Sequence, residues 1–231
     1  MSNQTDQAFL ESALSFFPHL SSAEKNLLLQ NTAAVSYKKG SSIHRADYKC
    51  LGLLLVKSGS LRVYIMSEDG KEITLYRIYP GELCILSASC VLSSITFDVY
   101  IDAVEDSQVL QVSSSVISLL MHDNIYVEAF ANRAAAERFS DVMWAMQQIL
   151  FMSFDRRLAI FLLDESASLG TDRLTLTHEQ IAKLMGSARE VVTRMLKYLQ
   201  AEGLVRLGRG GVRLLDRAGL ERLAKDSLRE R

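Results

Sequence analysis

The sequence predicts an α+β chain with three parts in order: an N-terminal antiparallel β-roll of the jelly-roll, cupin-like kind, one long helix, and a C-terminal winged helix-turn-helix. Three observations carry this reading. Short β-branched runs recur between turn residues through the first half, residues 124–152 contain neither Gly nor Pro, and residues 175–212 set out a helix, a tight turn, a second helix and a glycine-tipped hairpin. The boundaries drawn from them are 1–123 for the roll, 124–152 for the helix and 153–231 for the last domain.

A helical patch is expected through about Asn31. Strand-like runs follow at 33–37, 42–44, 51–57, 60–66, 72–78, 97–103 and 107–112. Between them stand the turn signals Lys39-Gly40, Ser58-Gly59-Ser60, Glu68-Asp69-Gly70 and Tyr79-Pro80-Gly81. Regular short strands with this punctuation fold as an antiparallel roll.

In 124–152, Ile125, Ala135, Phe139, Val142, Met146 and Ile149 recur mostly at steps of three and four, a seam that suits a parallel pairing of two helices and hence a homodimer. Val127, Phe130, Met143 and Leu150 form a second apolar face, expected against the roll. Ser153-Phe154-Asp155 is expected as a hinge, with Asp155 capping a helix over 156–164 and a polar loop over 165–172.

Thr177 is placed to cap the next helix, with Gln180 closing a capping box and Ile181, Leu184 and Met185 as its apolar stripe. Gly186 ends it at the turn. Val192, Met195, Leu196 and Leu199 form the buried stripe of the second helix, so Arg189, Glu190 and Arg194 project from the opposite side. Arginine matches guanine O6 and N7, and glutamate accepts from the cytosine amino group, so the trio suits major-groove reading. Strands at 204–207 and 212–215 flank Gly208, Arg209, Gly210 and Gly211 as a wing.

Charge is divided unevenly. Residues 154–231 hold fifteen Lys or Arg against eleven Asp or Glu, net +4, while the rest is −5 and the whole −1. A basic face within a nearly neutral chain is enough for phosphate contacts. The first residues lack the basic start and apolar core of a secretory signal, no uncharged stretch is long enough to span a bilayer, and three cysteines do not form a disulfide framework. A cytoplasmic protein without membrane association is expected.

The stretch from Gly186 to Arg194, GSAREVVTR, resembles the recognition segment of the Crp/Fnr family of bacterial transcription regulators. Val56 to Val63, VKSGSLRV, and Pro80-Gly81-Glu82 resemble that family's effector-binding roll, so the likeness spans most of the chain. The resemblance implies a regulator that binds double-stranded DNA at a palindromic promoter site, answers a small-molecule effector, and meets RNA polymerase through 165–172. It implies Arg189, Glu190 and Arg194 as base readers. Some members place hydroxyls against phosphate where this chain has Ala188 and Val191, so backbone anchoring falls to Ser187, Thr193, Lys197 and Arg209.

In members that answer cyclic AMP, Gly-Glu is followed by an Arg-Ser or Arg-Thr pair that holds the cyclic phosphate. Gly81 and Glu82 stand in place here, but Phe97 and Asp98 occupy the later position, and 83–100 holds no Arg or Lys. A buried phosphate without a cation loses its charge-assisted hydrogen bonds, so the effector is not expected to be cyclic AMP. A small apolar or weakly acidic ligand in a pocket of Gly81, Glu82, Leu83, Cys84, Phe97 and Phe139 is expected instead.

Cys84 and Cys90 offer a redox or metal-sensing pair, set against the plainer role of small apolar side chains; a spacing of six matches no common zinc or cluster pattern. No cofactor is assigned. Haem through His44, His122 or a cysteine stays open, although a lone histidine is more often structural. No enzyme is expected, because His19, His44, His122 and His178 fall in separate elements. The alternatives carried are a cupin-type metal enzyme and a DNA-free ligand-binding dimer.

Overall fold

In the computed structural model the described residues are 4–45, 51–68, 70–85, 87, 99–208 and 210–225. The chain divides into two compact units, Met1–Ile65 with Leu75–Val142, and Met66–Thr74 with Met143–Arg231.

The first unit opens with helices α1 (Gln4–Ala13) and α2 (Ser22–Gln30), joined by a 3₁₀ turn at Phe17–His19. The Ser21 hydroxyl accepts from the Glu24 amide while the Glu24 carboxylate accepts from the Ser21 amide, which fixes where α2 begins. Leu10, Leu14 and Phe16 are buried, and Asp6 on α1 pairs with Lys57.

Among the described residues eight strands follow: β1 (Thr32–Tyr37), β2 (Ser42–His44), β3 (Leu53–Ser58), β4 (Leu61–Met66), β5 (Glu72–Ile78), β6 (Leu83–Cys84), β7 (Tyr100–Ala103) and β8 (Ser107–Val112). They form two four-stranded sheets, β1-β8-β3-β6 and β2-β7-β4-β5. The long-range pairing is antiparallel, with Thr32 opposite Val112 and Leu61 opposite Ala103. Leu53 to Val56 are buried at every position, a continuous apolar strand rather than an alternating one. The roll predicted from turn spacing is therefore present; β6, too short to register as a periodic run, was missed.

Helix α3 (Ser114–Asp123) leads into α4 (Ile125–Phe151). Val127, Ala131 and Ala134 are buried, Phe130 meets Phe16 edge-on at 5.0 Å, and Ala135 and Val142 pack on the same core. This corrects the assignment of faces. Ala135 and Val142 were expected on the seam and pack on the roll, whereas Met143 and Leu150 were expected on the roll and are exposed. A helical stripe drifts around the axis over 27 residues, so one seam cannot keep a single neighbour along its whole length.

In the second unit α5 (Phe154–Leu169) runs longer than expected and takes Ser153 at its N-cap position, with Asp155 inside the first turn, so the Asp155 cap is corrected. The polar loop over 165–172 is corrected too: Glu165 and Ser166 are buried within α5, and the helix ends on Gly170. After β9 (Arg173–Leu174) come α6 (His178–Met185), α7 (Arg189–Ala201), β10 (Val205–Gly208), β11 (Gly211–Leu214) and α8 (Arg217–Lys225). The sheet order is β10-β11-β9. Its core is built from Leu158, Leu162, Ile181, Val192, Leu196, Leu199, Val205, Val212 and Leu220.

Candidate nucleic-acid interface

The presentation of α7 begins with α6. Thr177 takes the N-cap, its hydroxyl accepting from the Gln180 amide at 3.1 Å while the Gln180 side-chain oxygen accepts from the Thr177 amide at 2.8 Å. Gly186 stops the helix with φ of +62°, a left-handed conformation that costs glycine nothing and most residues about 1 kcal/mol or more. The turn then passes Ser187 and Ala188 before α7 starts at Arg189.

Burial of Val192, Leu196 and Leu199 fixes the rotation of α7. The opposite face exposes Arg189, Glu190, Arg194 and Lys197, with Thr193 half-buried between them, and these five line one shallow groove. Arg189 is 66% exposed and its Nε lies 3.9 Å from Glu179, the outer limit of an ion pair. The guanidinium is therefore available to another partner. The Thr193 hydroxyl shares a hydrogen bond with His178 Nδ1 at 2.9 Å, which ties the middle of α7 to the first turn of α6. Ser187 is half-buried in the turn.

The wing stands beside this face. Val205 pairs with Leu214 and Gly208 with Gly211 across a two-residue tip. A Cβ on Gly211 would lie 2.0 Å from the Leu174 carbonyl oxygen, so only glycine lets β11 run this close to β9. The side-chain oxygen of Gln200 on α7 accepts from the Leu207 amide at 2.9 Å, locking wing to helix. A second cleft joins Thr177, His178, Glu179 and Arg189 to the glycines of the tip. Arg209 lies outside the described residues.

The expected effector residues are not gathered in the same way. Gly81 and Glu82 are exposed, and the Glu82 carboxylate accepts from the Tyr79 amide, closing its own turn. Leu83 is half-buried and Cys84 fully buried, its Sγ 3.9 Å from the Tyr76 hydroxyl. Phe139 is 65% exposed, a correction to its place in a pocket; its neighbour Arg138 is the residue that lies over the Tyr76 ring, at 5.0 Å. Arg138 lies on α4, far along the chain from the 83–100 segment, so no pattern in that segment points to it. Phe97 and Cys90 lie outside the described residues.

His44 is buried in β2 and His122 is exposed at the end of α3. Among the described residues no group of three or more His, Cys, Asp or Glu is placed to hold a metal ion. No described helix is long and apolar enough to cross a membrane.

A roll-bearing chain whose last domain holds an arginine-rich helix and a wing open on one side has the form of a DNA-binding regulator. Known proteins agree. Residues 156–223 match the Crp-like helix-turn-helix domain and residues 34–124 the cyclic nucleotide-binding domain. A crystal structure of a candidate transcriptional regulator of the Crp/Fnr family from Eubacterium rectale is 45% identical, covers 94% of this chain and 100% of its own, and superposes with a TM-score of 0.91. The cyclic AMP receptor protein of Thermus thermophilus is 28% identical over 90% of this chain and 95% of its own length. The transcriptional activator FnrA of Stutzerimonas stutzeri is 27% identical over 81% and 78%. The chain belongs to the Crp/Fnr family of DNA-binding transcription regulators.

Proposed function

We propose that this chain is a homodimeric, effector-responsive regulator that reads a palindromic promoter site through Arg189, Glu190 and Arg194, and that it is not an enzyme. The observation that carries the reading is the joint exposure of those three side chains on the face of α7 turned away from its core. Ser187, Thr193, Lys197 and Arg209 serve the phosphate backbone, with Thr193 exchanging its His178 contact when DNA arrives. The boundaries 1–123, 124–152 and 153–231 are retained as roll, dimerisation helix and DNA-binding domain.

Support for the dimer comes from α4, where Phe139 is 65%, Met143 45%, Met146 46% and Leu150 65% exposed along one side of the helix. An apolar row of this length on one helix is costly in water, and a second copy of the same helix buries it symmetrically. Two recognition helices about 34 Å apart then meet successive major grooves.

The effector is a small molecule other than cyclic AMP, the site of action is the cytoplasm, and RNA polymerase is the downstream partner. Selection from a random duplex library tests the reading. An enriched inverted repeat with half-sites about one helical turn apart is the expected result; enrichment of no sequence, or of a single unpaired half-site, refutes it.

A further inference from the structure

The long helix carries one largely buried cation that faces the roll residue Tyr76. Arg138, on α4, has its side chain only 16% exposed and its guanidinium over the ring of Tyr76, 5.0 Å from the ring centre. Its Nη1 donates to Asp141 at 2.8 Å, and Asp141 itself is 43% exposed. The Arg138 Nε is buried and finds no hydrogen-bond partner among the described residues. A buried guanidinium is ordinarily answered along both edges; here Asp141 takes the outer Nη1 and leaves the side-on edge, formed by Nε and the neighbouring Nη2, with its Nε–H unanswered.

The surroundings define what fits that edge. Tyr76, Cys84, Ile85 and Ala134 belong to the buried core of the first unit and Val142 packs against it, so the core that Arg138 reaches through Tyr76 is apolar. The Tyr76 hydroxyl lies 3.9 Å from the Cys84 sulfur, and burial holds its phenol well above the ordinary tyrosine range, so it stays protonated and able to donate. The Nε edge of the guanidinium presents two parallel donors, a spacing that the two oxygens of one carboxylate match.

We propose that the effector of the roll is a small apolar molecule bearing one carboxylate, held side-on by the Nε edge of Arg138. The proposal rests on reading the first unit as the effector domain. It assigns Arg138 as the residue that selects an acid over its neutral isostere.

The test uses the full-length protein and three probe acids, hexanoate, benzoate and phenylacetate, each beside its amide at about 10 mM, read by thermal shift and titration calorimetry. At least one acid is expected to raise the unfolding midpoint and to bind about tenfold or more tightly than its amide. Arg138→Met should erase that preference and Arg138→Lys should keep part of it, both with unchanged far-ultraviolet circular dichroism. Failure of all three acids to bind the wild type, equal binding of acid and amide, or a preference that survives Arg138→Met overturns the proposal. So does an Arg138→Met variant whose only change is weaker self-association, which would give the Nε edge to the second protomer. Ligand-free affinity of Arg138→Met for the selected duplex is the separate control, since its loss or absence in the wild type speaks to the regulator reading and not to the acid.

Discussion

Replacing Arg189 with Ala separates reading of a sequence from stability of the fold. In the free protein Arg189 is 66% exposed, and its ion pair with Glu179 spans 3.9 Å between two solvated groups, so the substitution removes about 0.5 kcal/mol or less of folding stability. Alanine also suits the first turn of a helix as well as arginine does. On DNA the situation reverses, because a bidentate guanidinium to guanine contributes about 1 to 3 kcal/mol of discrimination per base pair. A symmetric dimer loses the contact twice, so the specific complex should weaken by about 2 to 6 kcal/mol if the half-sites are independent. Fluorescence anisotropy with the selected duplex and a scrambled one measures both terms, and urea denaturation monitors the fold. Equal losses on the two duplexes would reduce Arg189 to a phosphate contact, and a large fall in stability would show that the exposed pair was misjudged.

Lys197→Ala should weaken binding to selected and scrambled duplexes alike and lower the magnitude of the log-log salt slope by about 1 per protomer. Thr177→Ala removes a hydroxyl that caps α6 and should cost about 1 kcal/mol in urea denaturation of the C-terminal unit. Gly211→Ala drives a Cβ into the Leu174 carbonyl, so a loss of about 2 kcal/mol or more and a disordered wing are expected in the same assay. The Ser21 hydroxyl, the Ser21 amide and Asn124 hold the Glu24 carboxyl below the ordinary glutamate range. A depressed folded-state value means that this contribution is present at neutral pH and disappears as pH falls through it; Glu24→Gln should lower the neutral plateau while leaving the acid end in place, which flattens the acid limb of the stability profile.

The last domain was legible because each of its signals is local. Thr177 with Gln180, Gly186, and the stripe Val192, Leu196 and Leu199 fix two helices and their rotation within a few turns of chain, and the exposure of Arg189, Glu190 and Arg194 follows from the buried stripe. The roll was legible as a class for a similar reason, since turn residues punctuate it at short range. What failed is non-local. Asp155 looks like a better cap than Ser153 in isolation, yet the helix begins one residue after Ser153 and continues through Glu165 and Ser166 because those side chains are buried in the folded unit. Propensity yields there to tertiary burial.

Helix α4 shows the same limit. Its apolar residues surround so much of the axis that periodicity names two faces without saying which one is covered, and Ala135 with Val142 went to the roll while Met143 with Leu150 stayed in water. Arg138 sits between these faces, shielded by Tyr76 and steadied by Asp141. If Phe139 and Leu150 close against a second copy, anything that pulls on Arg138 also acts on the helix that sets the spacing of the two heads. Phe139→Glu with Leu150→Glu should therefore lower the sedimentation mass toward one chain and weaken binding to the full palindrome far more than to a half-site. A double variant that stays dimeric would place the second copy elsewhere and break the link between effector and DNA drawn through this helix.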